Sequence, residues 1–316
     1  MQLARAGHPV TLWARDPDHV AEMQSARENH RYLSGCALPA GVTTTADLEQ
    51  AVHAGDEILV CAVPSHAVRE TLECARPWIP KQTIIVSASK GIEEQTALRM
   101  STVIAQASAA GERVAVLSGP SFAREVAETM PTALTAAARN MAHAEFVQHY
   151  FASPMFRVYA LEDVVGVEIG GAVKNVIAIA TGVSDGLGLG HNARAALITR
   201  GLAEISRLAA RLGGDPVTVS GLSGMGDLVL TCTGSLSRNR SVGLRLGQGE
   251  TLGEILSGMK QVAEGVRNTV AIDDLAKDLG VELPITTQMR ALLFENKTAS
   301  AAMVDLMTRQ LKPEFS

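Results

Sequence analysis

The sequence predicts an α/β protein in two parts. A doubly wound parallel sheet with helices on both faces spans residues 1–160, and an all-helical domain spans 161–316. Two observations carry the first part: short strand-like runs alternate with helical stretches, and those runs are continuously apolar, as strands buried on both faces are. The second part rests on a change of period: from about residue 163 apolar residues recur at helical spacing and no strand-like run follows.

The elements follow in chain order. "QLARAG" reads as the end of a helix stopped by Gly7, and "VTLWA" (10–14) as the strand after it. The further strands are "EILVCAV" (57–63), "TIIVSA" (83–88), "VAVLSG" (114–119) and "TALTAAA" (132–138), with helices at 17–28, 66–76, 93–109 and 141–151. Around "FRVYALEDVVG" the character changes, which sets the domain boundary near 160. "DVVGVEIGGAVKNVIAIATGV" is a long, almost wholly apolar helix; "ARAALITRGLAEISRLAARLG" follows, with Gly213 as its stop; "GVRNTVAIDDLAKDLG" and "QMRALLFENKTASAAMVDLMTR" complete the helical half.

A strand entered from a helix through a glycine turn is the second half of a βαβ unit. The first strand of that unit is not in the sequence. The expectation is that Met1 lies inside the first helix and that the natural protein begins about 20 residues earlier, the length of a strand, a glycine turn and most of a helix. The strands at 10–14 and 57–63 should then flank an empty slot, with cofactor affinity weakened.

Composition narrows the function. The chain is 47% hydrophobic but only 3% aromatic, which suits an α/β or helical enzyme better than a β-sandwich. A net charge of −5 without a basic, aromatic-interleaved patch argues against nucleic acid as a partner. The four cysteines form no CxxC pair and sit beside no histidine at ligand spacing, so they read as small buried hydrophobes, no metal is expected, and a reducing cytoplasmic setting fits. No apolar core segment follows a basic start, and no uncharged run reaches the ~18 residues of a membrane span.

Lys174 is the most informative residue. Its helix is apolar nearly all round, and a buried cation is costly unless paired, so a functional lysine outweighs one that snorkels to the surface. Gly170 and Gly171 leave room for a ligand or a second backbone. Desolvated beside another cation, such a lysine has a lowered pKa and serves as a general base. Lys90 follows a strand, at the carboxyl edge where open α/β sheets bind ligands; a solvated loop lysine is the alternative. In "LSGPSFARE", Gly119 shapes a turn and Ser121 is placed to cap the "FARE" helix. "GMGDLVLTCTGSLSRNR" presents Asp227 and then Ser237, Arg238, Asn239 and Arg240, donors suited to a phosphate at a helix start, against the alternative of a solvated basic turn. Arg15 lies just past the second strand of the expected unit, where such folds read the adenosine ribose: an acidic residue favours NAD, and an arginine accepts the NADP 2′-phosphate. Asp16 beside it blurs that signal.

Taken together, "GHPVTLWARDPDHV", "VPSHAVRE", "SASKGIE", "SGPSFAREV", "GGAVKNVIAIATGVSDGLGLGHNARAALITRGLAE", "GDLVLTCTGSLSRNR" and "QVAEGVRNT" resemble bacterial NAD(P)-dependent glycerol-3-phosphate dehydrogenases over essentially the whole chain. The resemblance implies a Rossmann-type fold and an oxidoreductase that interconverts sn-glycerol 3-phosphate and dihydroxyacetone phosphate with NADP or NAD, supplying glycerol 3-phosphate for phospholipid synthesis in the cytoplasm. It implies Lys174 as the proton acceptor. Lys90, Gly119, Ser121, Asp227, Ser237, Arg238 and Asn239 are implied as substrate contacts, and Arg15, Tyr32, Lys90, Ala123, Arg238, Val262 and Glu264 as cofactor contacts. His191 is expected to be structural or on the rim of the site. A small-molecule substrate is the expected partner, and homodimerisation stays open. The departure is the absent strand and GxGxxG-type turn. It leaves a competing reading, a cofactor-deficient fragment that binds substrate or a partner without turnover; a related enzyme for a different hydroxy acid or sugar nucleotide is the other, and the "SRN" stretch argues against it.

Overall fold

The structure is a computed structural model describing residues 1–259, 263–311, 313 and 314. Its strands are β1 (Val10–Trp13), β2 (Val42–Thr45), β3 (Ile58–Cys61), β4 (Ile84–Ser87), β5 (Val114–Ser118), β6 (Thr132–Ala138) and β7 (Phe156–Leu161). The helices among them are α1 (Gln2–Arg5), α2 (Pro17–Ala26), α3 (Leu48–His53), α4 (Val68–Ala75), α5 (Met100–Ser108), α6 (Ala123–Ala127) and α7 (Met141–Phe151). After β7 the described elements are all helices: α8 (Val164–Gly186), α9 (Gly190–Arg211), α10 (Pro216–Val219), α11 (Asp227–Thr233), α12 (Arg238–Gly247), α13 (Leu252–Ser257), α14 (Glu264–Asp278), α15 (Pro284–Phe294) and α16 (Ala299–Met307). The protein is thus a Rossmann-like, parallel-dominated sheet with helices, followed by a helical domain.

The strands form two sheets. β1 and β2 pair in parallel, Val10 opposite Val42, and β3–β4–β5–β6–β7 form a five-stranded sheet. Among the described residues no ladder joins β1 to β3, so the strands expected to flank a slot do stand apart. The expectation of an all-parallel sheet is corrected at β6, which runs antiparallel to β5 with Ala115 opposite Ala138. Continuous apolar character reports burial on both faces, not direction. The only helix between β5 and β6 has five residues, too short for the crossover that returns a chain to run parallel.

Two strands escaped the sequence reading. β2, "VTTT", carries one aliphatic residue, although Thr44 and Thr45 are buried. β7 alternates buried Phe156 and Val158 with exposed Arg157 and Tyr159, as expected of an edge strand covered on one face, and it lies where the sequence changes character. The helix expected over 93–109 begins only at Met100. The residues before it form a loop in which Glu93 accepts two hydrogen bonds from Arg69 and one from Thr96.

α8 is the axis of the helical half. Asp163 caps it by accepting from the Gly166 N–H at 2.8 Å. An 18-residue window has mean hydropathy 1.5 and is 94% buried inside the protein, which explains its apolar composition as that of a core helix. α9, α11, α12 and α14 pack around it. α12 touches α8 backbone to backbone: a Cβ at Gly243 would lie 2.0 Å from the Ile179 carbonyl oxygen, and one at Gly182 would lie 2.1 Å from that of Arg240. This close approach fixes α12 along the C-terminal part of α8.

Gly243→Ala is therefore expected to destabilise by about 1–3 kcal/mol or more, because neither backbone can yield. Thermal unfolding checks this, and an unchanged Tm would show that the α8–α12 contact is looser than described.

Candidate active site

The site is built where α8, α11 and the loops after β4 and β5 converge. Lys174 lies in mid-α8 and is 6% exposed. Its Nζ donates to Asp227 Oδ1 at 2.5 Å and to Thr231 Oγ1 at 2.9 Å. Lys90, in the turn after β4, donates from Nζ to Asp227 Oδ2 at 2.6 Å and to the Gly119 carbonyl at 3.2 Å. One carboxylate, 2% exposed, thus bridges two ammonium groups.

Local structure explains how these groups meet. Asp227 opens α11, and the turn before it packs on Gly170, where a Cβ would lie 2.8 Å from the Ser223 carbonyl oxygen. Gly170 thus admits a second backbone, one of the two uses expected for it. Thr231 stands one helical turn beyond Asp227 and therefore shares its face. It was not singled out from the sequence, although the four-residue spacing from Asp227 would have shown it.

Electrostatics follow from burial and from this bridge. Burial first, and the Lys90 ammonium second, push the Lys174 pKa down to about 8, against the pull of Asp227. The sequence reading named desolvation and a neighbouring cation together; desolvation is the larger cause. Burial works against the Asp227 carboxylate, yet Lys90 and then Lys174 hold it below the usual carboxylate range. Burial raises the Glu264 pKa; the Ser65 N–H, at 3.4 Å, and then Arg238, Lys90 and Lys174 oppose that rise.

Gly119 and Ser121 meet beside Lys90, but Ser121 does not cap the helix that follows. Its hydroxyl donates back to the Gly119 carbonyl at 3.0 Å, and the residue before α6 is Phe122, which has no capping side chain. The "SGP" turn carries Ser121 away from the helix start. Lys90, Ser121 and Ala123 line an open cavity of about 330 Å³ that Met1 and Gln2 also reach.

The "SRN" stretch divides its tasks. Ser237 caps α12 by accepting from the Arg240 N–H at 3.2 Å. Asn239 is buried: it donates to Asn175 Oδ1 at 2.9 Å and accepts from the Gly265 N–H at 3.0 Å, linking α8, α12 and α14. Arg238 is exposed at the first turn. Arg240 instead turns to Asp185, donating from Nε at 2.8 Å.

Arg15 and Tyr32 lie apart from this centre, both exposed. The Asp16 side chain is engaged locally. It caps α2, accepting from the Asp18 and His19 N–H groups, and pairs with Arg31 at 2.6 Å. Burial lowers the His66 pKa, and Arg267 and Arg15 lower it further against Glu94, so these four ionisable groups lie near one another. Glu264 opens α14, Val262 lies outside the described residues, and His191 is exposed in the first turn of α9.

The chain is similar to known proteins over nearly its whole length. Residues 1–144 match the family described as NAD-dependent glycerol-3-phosphate dehydrogenase N-terminus, and residues 163–304 match its C-terminus. The glycerol-3-phosphate dehydrogenase [NAD(P)+] of Geobacter sp. (strain M21) is 55% identical over 314 residues, covering 99% of this chain and 93% of that protein. The enzyme of the same name from Syntrophotalea carbinolica is 52% identical, covering 99% and 94%. Among solved structures, glycerol-3-phosphate dehydrogenase from Coxiella burnetii superimposes with a TM-score of 0.92 at 41% identity, covering 98% of this chain and 94% of that one. The chain belongs to the NAD-dependent glycerol-3-phosphate dehydrogenase family.

Proposed function

We propose that the chain interconverts sn-glycerol 3-phosphate and dihydroxyacetone phosphate with NADP or NAD, and that Lys174 moves the proton. The observation that carries this is the buried Lys174–Asp227–Lys90 bridge beside an open cavity, in which burial first and the Lys90 ammonium second push the Lys174 pKa down to about 8 against the pull of Asp227.

The cofactor supplies hydride acceptance and donation at the substrate C2. The residues present fit its two ends. Lys90, Ser121 and Ala123 line the cavity at the carboxyl edge of the five-stranded sheet, and Arg15 stands exposed beyond β1. A glycine-rich turn for the pyrophosphate is not among the described residues.

In oxidation the neutral Lys174 amine accepts the proton of the C2 hydroxyl; in reduction the ammonium returns it to the C2 oxygen. Lys90 keeps a second positive charge on the substrate side of Asp227, favouring oxygen-centred negative charge there. Asp227 keeps both lysines in place, and Thr231 accepts from Lys174, so the amine has a fixed direction. The substrate phosphate is assigned to the start of α12, where Arg238 supplies a guanidinium and Asn239 holds the helix against α8 and α14. Ser237 acts there through the cap, and Gly119 through the carbonyl that aims Lys90. Tyr32, Glu264 and Val262 are assigned to the cofactor side. Four free cysteines support a reducing, cytoplasmic setting.

Lys174→Ala is expected to lower kcat by about 10²–10⁴ while NADPH binding, followed by fluorescence, stays near that of the unchanged protein. Asp227 keeps Lys90 as a partner in that variant, so the fold should survive. Near-normal kcat would remove Lys174 from the mechanism.

Arg15→Ala is expected to reduce the NADPH-over-NADH ratio of kcat/KM by roughly 10-fold or more, the loss of a charge-assisted contact to a 2′-phosphate. An unchanged ratio would mean that Arg15 does not read that phosphate.

A further inference from the structure

Asn268 has no place in the mechanism so far, yet its setting is unusual. It lies on α14 one turn after Glu264 and is 0% exposed. Among the described residues, neither its Nδ2 nor its Oδ1 has a hydrogen-bond partner. Buried amides are nearly always bonded, so an unbonded one calls for an explanation.

Its neighbours supply one. Gly91, directly after Lys90, has φ +147°, a conformation that favours glycine. A Cβ on Gly91 would lie 2.6 Å from Asn268 Nδ2, 3.1 Å from its Oδ1 and 3.0 Å from Ser65 Cβ. The Asn268 carboxamide therefore occupies the space into which any side chain at 91 would project. Ser65 is itself tied to α14, because its N–H donates to Glu264. On its other side the loop is tied to α4 by Glu93, which accepts from Arg69 at 2.9 and 2.8 Å. The Lys90–Gly91 turn is thus held by α4 beyond it and rests on Asn268 beneath it.

We propose that Asn268 is a positioning residue for Lys90: its carboxamide, packed under Gly91, sets where the Lys90 ammonium stands relative to Lys174. The two ammonium groups share Asp227, so moving one changes the field at the other. The charged and ionisable groups acting on Lys174 are Asp227 and Cys232 from α11, Lys90 from the turn after β4 and Glu264 from α14, and Arg238 from α12 acts in turn on Glu264. Of these, Lys90 is the one whose backbone turn Asn268 supports. Gly91 and Asn268 form a matched pair, one lacking the side chain that the other replaces. The inference deepens the proton-transfer reading given above and rests on it for its catalytic meaning.

The test is a double-variant cycle read by nuclear magnetic resonance, following the side-chain titration of Lys174 in the full chain, with Lys174→Arg used to assign the signal. Asn268→Ala lets the turn relax and withdraws Lys90, so the Lys174 titration should move upward from about 8 by about half a unit or more. In a Lys90→Ala background the same substitution should produce no further shift. A purely structural role would lower Tm in both backgrounds and leave the titration where it was, and that result would overturn the proposal; so would equal shifts in both backgrounds. If Asn268→Ala does not fold, Asn268→Ser makes a smaller lesion and is read in the same way. The titration needs no turnover, so an inactive chain with the expected shift would sink the dehydrogenase reading and leave this one standing.

Discussion

One carboxylate shared by two lysines is the constraint on which the site depends. A lysine in the middle of a core helix is tolerated only if its charge is compensated or given up. Asp227 compensates it in part: it attracts Lys174, but it also brings Lys90 to its other oxygen, and Lys90 repels Lys174. The outcome is a lysine between two states, neither firmly protonated nor stripped of its partner, which suits a group that must take and return a proton.

The remainder of the structure holds this bridge in place. α8 carries Lys174 through the centre of the helical half, and its glycines admit a second backbone at two levels, the turn before Asp227 at Gly170 and α12 at Gly182. Asn239 spans α8, α12 and α14 with both ends of its amide used. The sheet's contribution is its carboxyl edge, which presents Lys90 after β4 and the Gly119 carbonyl after β5. The start of α12, proposed for the substrate phosphate, and Lys174, proposed to move the proton, are thus both held on α8, while the residues proposed for the cofactor lie in the loops of the sheet.

Much of this was legible in the sequence, for physical reasons. Lys174 stands out because an apolar helix states its own burial, and Lys90 because continuous apolar strands mark a sheet whose carboxyl edge binds ligands. What stayed hidden depends on contacts remote in the chain. The direction of β6 is set by a short connection, not by the strand's own residues. Ser121 looks like a cap until the turn carries it back to Gly119. β2 holds its place with threonines that read as loop, and Asn268 gains meaning only when Gly91 is seen against it. Desolvation, which outweighs Lys90 in lowering the Lys174 pKa, could be ranked only once the burial of Nζ was seen.

The central claim is that Asp227 and Lys90 pull Lys174 in opposite directions, and the pH dependence of glycerol 3-phosphate oxidation tests it most directly. In the proposed mechanism the neutral amine is the active form, so kcat/KM should rise with pH through about 8 and level off above it. Asp227→Asn removes the attraction and leaves burial and the second ammonium in place, so the midpoint should move to lower pH. A midpoint that stays fixed or moves upward in Asp227→Asn would contradict the account.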